Sequence, residues 1–140
     1  MTSRWIRVTA VLASVLVGLG APGCSRQESE SASQERFNKD MLLEFAELLK
    51  AHVRDHKKPP SKAADVASYE PIYPTAHVGI VKKDIVYPWG VGLTSGGDAG
   101  STVLAYQKDV ETKGGWALMQ DGTVKELTAE QFKAAPKAHR

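Results

Sequence analysis

This chain lacks a second cysteine, a membrane-length apolar run, a surplus of either charge in its mature part, and any compact catalytic signature. Cys24 is the sole cysteine among 140 residues, so no internal disulfide can form. The apolar stretch over residues 8–19 is interrupted by Thr9, Ser14 and Gly18 and is too short for a good membrane span. No Gly-x-Ser-x-Gly elbow is present, which leaves Ser95 and Ser101 poor nucleophile candidates. The run "GVGLTSGGDAG", residues 90–100, holds five glycines. It lacks the Gly-Lys-Ser/Thr ending of a phosphate-binding loop, and no helix start follows to receive an anion. Asp98, Asp109 and Asp121 lack EF-hand spacing. Catalysis has no constellation to rest on, so no enzyme activity and no cofactor are expected.

The chain length allows one small domain. Its hydrophobic fraction of 42% and charged fraction of 24% are ordinary for a soluble globular protein.

The N-terminus reads as an export signal: Arg4 and Arg7 precede the apolar stretch, and the small residues Gly20, Ala21 and Gly23 follow it. Residues 1–23 are therefore expected to be a signal peptide outside the fold. The tetrapeptide "APGC", residues 21–24, resembles the lipobox of bacterial lipoproteins, whose cysteine is diacylated and becomes the new N-terminus. That resemblance implies lipidation at Cys24 and a protein held on the bacterial membrane, facing the periplasm or the cell exterior. The alternatives are an ordinary signal peptide cut nearby or a retained anchor helix, with Cys24 a bystander. Acylation would also remove a free thiol from an oxidising compartment.

Without residues 1–23, Lys plus Arg falls from 18 to 16 because Arg4 and Arg7 are lost, and Asp plus Glu stays at 16. A formally neutral chain offers no basic stripe to neutralise a phosphate backbone, so no nucleic-acid partner is expected.

After Cys24, "SRQESESASQ" is small and polar, which predicts a flexible tether over residues 24–34. Ser31 and Gln34 have capping-box spacing, and a helix is expected over residues 35–57. Phe37, Met41, Phe45, Leu48 and Leu49 repeat at helical spacing, widened by Leu42, Ala46 and Val53. Pro59 and Pro60 end it. "SKAADVASY" suggests a short further turn from Ser61. In "VGIVKKDIVYPWG" two β-branched runs, residues 78–81 and 85–87, read as strands.

The C-terminal part is the most legible. Asp121 and Gly122 separate two apolar-bearing runs, and Asp-Gly supplies the positive φ angles of a two-residue type I′ turn. That register would set Met119 opposite Val124 and Trp116 opposite Leu127. Thr128 and Gln131 form a second capping box, with Leu127 placed to staple onto Phe132, so a short helix is expected from Thr128 to just before Pro136. The fold class is α+β: one long amphipathic helix on a small antiparallel sheet, closed by a short helix. The domain is expected over residues 35–136, with 137–140 a tail.

The order of a long helix, "KPPSKAADV", "YPWG" and a terminal Asp-Gly hairpin resembles the soluble part of type II secretion pseudopilins and prepilin-like proteins. "VLAYQKDVETKGGWALMQDGTVKELTAEQF" is similar to the end of exported prepilin-like families marked by a histidine, nine residues, then Asp-Gly. Here Glu111 occupies the histidine position, and the prepilin peptidase signature with its assembly helix is absent. The resemblance implies a pilin-head-like domain in which a lipid replaces the membrane helix.

His52 and His56 in "HVRDH" share one helix face at i, i+4, as zinc sites require, yet Val53 stands where a catalytic glutamate would be. Two readings follow: a surface metal site of His52, His56 and His77, or solvated histidines capping a basic helix end. Solvated histidines are the expectation, with no bound metal. Tyr106 and Trp116 are expected in the core, whereas Trp89 fits either core or a contact patch. The expected function is a non-catalytic, lipid-anchored envelope protein with a structural or protein-interaction role. Its expected partners are the membrane, through the N-terminal lipid, and another envelope protein. The alternative is a metal-binding or sensing lipoprotein using His52 and His56.

Overall fold

The computed structural model describes residues 25–139, with side chains from Glu30 onward. The expected signal segment and Cys24 lie outside the described residues. In chain order the elements are α1 (Ser25–His56), a 3-10 helix (Ala63–Tyr69), α2 (Pro74–Val81), β1 (Ile85–Val86), β2 (Val103–Gln107), α3 (Val110–Lys113), β3 (Gly115–Met119), β4 (Val124–Leu127) and α4 (Ala129–Ala134). The strands form one antiparallel sheet in the order β1-β2-β3-β4. This is the α+β architecture expected, with the sheet covered on both faces. Leu104, Ala105 and Leu118 pack with Met41, Phe45 and Leu49 of α1. Val103, Ala117 and Met119 pack with Val110 and Phe132 of α3 and α4. Strand β3 is thus buried on both sides, which is why "WALM" has no polar position.

Helix α1 begins at Ser25, ahead of the expected start, and the polar run is helical where a flexible tether was expected. Ser31 and Gln34 are interior to it and Gln34 Nε2 donates to Asn38 Oδ1 at 2.9 Å, so they are not its cap. Glu, Gln, Arg and Ala in this run are sound helix formers, and extending a packed helix avoids the cost of nucleating one. No residue from Glu30 to Asp40 is buried. The buried stripe starts at Met41 and includes Leu42, Phe45, Ala46, Leu48 and Leu49. Phe37 and Val53, expected on that stripe, are 44% and 37% exposed. Phe37 precedes the buried part of α1, and Val53 borders a shallow depression shared with Leu49 and Leu93.

The run at residues 78–81 is helical, not a strand. Pro74 occupies the first turn of α2, where its missing N–H costs nothing. Glu44 Oε2 accepts the Ala76 N–H at 2.8 Å, capping α2 from another helix. Gly79 permits the close approach: a Cβ there would lie 2.4 Å from Met41 Sδ. At the other end Lys83 takes φ 58°, and the Asp84 N–H reaches Gly79 O at 2.8 Å, a Schellman closure. These contacts override the β propensity of Val and Ile.

Of the expected tail over 137–140, the described residues 137–139 are not free. The Val103 N–H donates to Pro136 O and the Ala138 N–H to Val103 O, each at 2.8 Å, so Lys137 bridges in parallel to the part of β2 that β1 leaves open. Ala138 is buried in the main core. An open strand edge leaves backbone groups unpaired, and this segment fills one.

Candidate functional site

The end of α1 brings His52 and His56 together, their ring centroids 4.5 Å apart and tilted by 35°. His56 is exposed. His52, expected to be solvated, is only 3% exposed. The reason lies beyond the helix: Lys57 adopts φ 61°, its N–H bonds to Val53 O at 2.8 Å, and the chain folds back over the last turn. The Lys58 carbonyl is thereby set 3.0 Å from His52 Nδ1. A carbonyl only accepts, so Nδ1 is the donor. Tyr69 of the 3-10 helix approaches from the other side, 6.0 Å from the His52 ring centroid.

Asp55 ties these elements together. Its Oδ1 accepts from Arg54 Nε at 3.0 Å and its Oδ2 from the Tyr69 hydroxyl at 2.7 Å. Those bonds, Arg54 first, hold the Asp55 carboxyl below the usual carboxylate range. Burial pushes the Tyr69 hydroxyl up, and the adjacent carboxylate adds to the effect. His77 sits apart on α2, with Nε2 3.9 Å from Glu70 Oε2 and Nδ1 buried without a hydrogen-bond partner. Among the described residues no cluster of three or more His, Cys, Asp or Glu side chains converges as a metal-ligand set.

The Asp-Gly hairpin forms, with a register one residue from that expected. Leu118 faces Val124 and Gly115 faces Leu127, because the loop has a third residue. The Gly122 N–H bonds to Met119 O at 3.0 Å and the Met119 N–H to Thr123 O at 2.7 Å. Gly122 has φ 90° while Asp121 stays out of the positive region. This is a type I turn closed by a left-handed glycine, not type I′. Asp121 stabilises it by accepting the Thr123 N–H and hydroxyl on Oδ1 at 2.9 and 2.7 Å, which holds its carboxyl low. The tip is also stitched to the glycine-rich run: Thr94 N–H to Gln120 O at 2.9 Å, and Asp121 N–H to Ala99 O at 3.2 Å.

The other aspartates serve turns. The Asp98 carbonyl accepts from Ser101 and Thr102, and the Asp109 carbonyl from Thr112 and Lys113. Residues 90–100 form the loop that joins neighbouring strands β1 and β2. Glu111 lies exposed on α3. The aromatics divide between core and rim. Phe45, Tyr87 and Trp89 make successive edge-to-face contacts at 5.1 and 5.0 Å. Tyr106 lies 4.6 Å from the Phe132 ring, and half-buried Trp116 carries Lys39 Nζ 5.0 Å over its ring. Compared with known proteins, the chain matches no protein family, no curated sequence and no solved structure.

Proposed function

We propose that this chain is a non-catalytic, lipid-anchored cell-envelope protein, exported and held on the bacterial membrane by acylated Cys24, whose domain has a structural or protein-interaction role. The observation that carries this reading is the placement of the only cysteine where a charged and then apolar leader gives way to a polar segment. Two or more acyl chains, at about 0.8 kcal/mol per buried methylene, hold a small protein on a bilayer without a spanning helix. Helix α1 starts at Ser25, one residue beyond that cysteine, so the lipid is joined to the domain through a helical arm.

The test is Cys24→Ala. The variant is expected to accumulate as unprocessed precursor or to leave the membrane fraction, and to take up no labelled fatty acid while the wild type does. A wild-type chain without label would refute the anchor.

A second reading, a metal-binding lipoprotein, draws on His52. A histidine that donates Nδ1–H to a carbonyl has the orientation found behind metal-ligating imidazoles, and His56 lies beside it. Stoichiometric zinc in the purified protein, lost in His56→Ala, would establish it.

A further inference from the structure

We propose that the outer face of α2 rests on an anionic lipid surface, an inference that builds on the anchored reading above. Only Ala76 and Gly79 of α2 are buried. Its opposite side carries Pro74, Val78 and Val81, at i, i+4 and i+7, all exposed. Val78 is 38% and Val81 66% exposed, and Ile72, in the turn before α2, is 67% exposed. A helix apolar on both faces is normally covered on both, and among the described residues only the inner face is.

Charge and direction point to lipid. Exposed Lys82 and Lys83 follow the stripe directly. Asp84, the next acid, is paired with Lys108, and Glu70 stands at the far end near His77. Aliphatic side chains bordered by lysines match the boundary between acyl chains and anionic headgroups. Ala76 meets Glu44, and Gly79 meets Met41. Helix α2 therefore runs antiparallel to α1, with its lysine end toward Ser25 and the lipid attachment. The anchor makes this contact intramolecular, so a few aliphatic side chains suffice to orient the domain.

The experiment places a photoactivatable residue at Val81, or separately at Val78, in the full chain expressed in a bacterium whose phospholipids are radiolabelled. Ser95 is the control, because its loop lies by Lys50, at the opposite end of the packed part of α1 from Met41. Irradiation is expected to give several-fold more phospholipid adduct at positions 81 and 78 than at 95. Lys82→Glu with Lys83→Glu is expected to lower that yield several-fold. Adducts only to another protein or to a second copy, or lipid adducts no more abundant than at 95, would overturn the proposal. Fatty-acid incorporation, followed in parallel, separates the two readings. A chain that is acylated but gives no lipid adduct keeps its anchor and loses this face; lipid adducts on an unacylated chain keep the face and refute the anchor.

Discussion

Gly122 and His52 show how differently single positions constrain this fold. A Cβ at Gly122 would meet nothing closer than 3.8 Å, so space is available and the constraint is φ 90°. Gly122→Val is expected to destabilise the domain by about 1 kcal/mol or more through backbone strain. Thermal unfolding measures it, and an unchanged midpoint would contradict the turn. His52 is constrained by its surroundings: truncation opens a space beneath Tyr69 and leaves the Lys58 carbonyl without its donor. His52→Ala is expected to cost about 1–3 kcal/mol, and His56→Ala about nothing, since His56 is exposed. Equal denaturation curves for the two variants would refute this assignment. The Asp-Gly pair announced its turn in the sequence. The burial of His52 did not, because it depends on where the chain goes after Lys57.

At the scale of elements, α2 is the instructive failure of local reading. "HVGIV" favours a strand by propensity, yet its helix is capped by Glu44 from far away in sequence and seated by Gly79 against Met41. Glu44→Ala is expected to destabilise the protein by about 1–2 kcal/mol by leaving the Ala76 N–H without its carboxylate acceptor. Slower hydrogen exchange or unchanged protection across α2 in that variant would argue against the cap. Helix α4 is the opposite case. Thr128 Oγ1 accepts the Gln131 N–H at 3.2 Å, and Gln131 Oε1 accepts the Thr128 N–H at 2.8 Å. Every partner lies within one turn, so its capping box was readable in full. The β3–β4 hairpin is intermediate: Asp121-Gly122 marks the turn, but whether the loop holds two residues or three depends on hydrogen bonds to the neighbouring loop.

For the whole molecule, exposed carboxylates set the behaviour in acid. Asp55 is held low by Arg54 and Tyr69, Asp65 by Ser61, and Asp121 by Thr123. A folded pKa below the unfolded one means that the unfolded chain binds the proton more readily. The stability these groups contribute is therefore complete above the unfolded carboxylate range and is lost as pH falls through the folded values. The thermal midpoint is expected to decline as pH drops below about 4, and more gently in Asp55→Asn, which removes one titrating group. Midpoints measured by circular dichroism across that window test it, and a midpoint that rises on acidification would reverse the sign of the argument. Because these groups are solvent-exposed, each contributes modestly.

The sequence by itself determined what rests on neighbours along the chain: the amphipathic stripe from Met41 to Leu49, a helix end ahead of Pro59, the hairpin at Gly122 and the helix start at Thr128. Spacing, φ preference and capping act over a few residues, so no tertiary partner is needed to read them. Tertiary structure decided the helical state of α2, the burial of His52, the one-residue change of hairpin register, and the docking of Ala138 beside Val103. Each of these depends on a group supplied from elsewhere in the chain or from beyond its own turn: the Glu44 carboxylate, the Lys58 carbonyl, the backbone of residues 94–102 and the open edge of β2. A buried donor or acceptor must find its partner wherever the fold provides one, and local pattern carries no record of that choice.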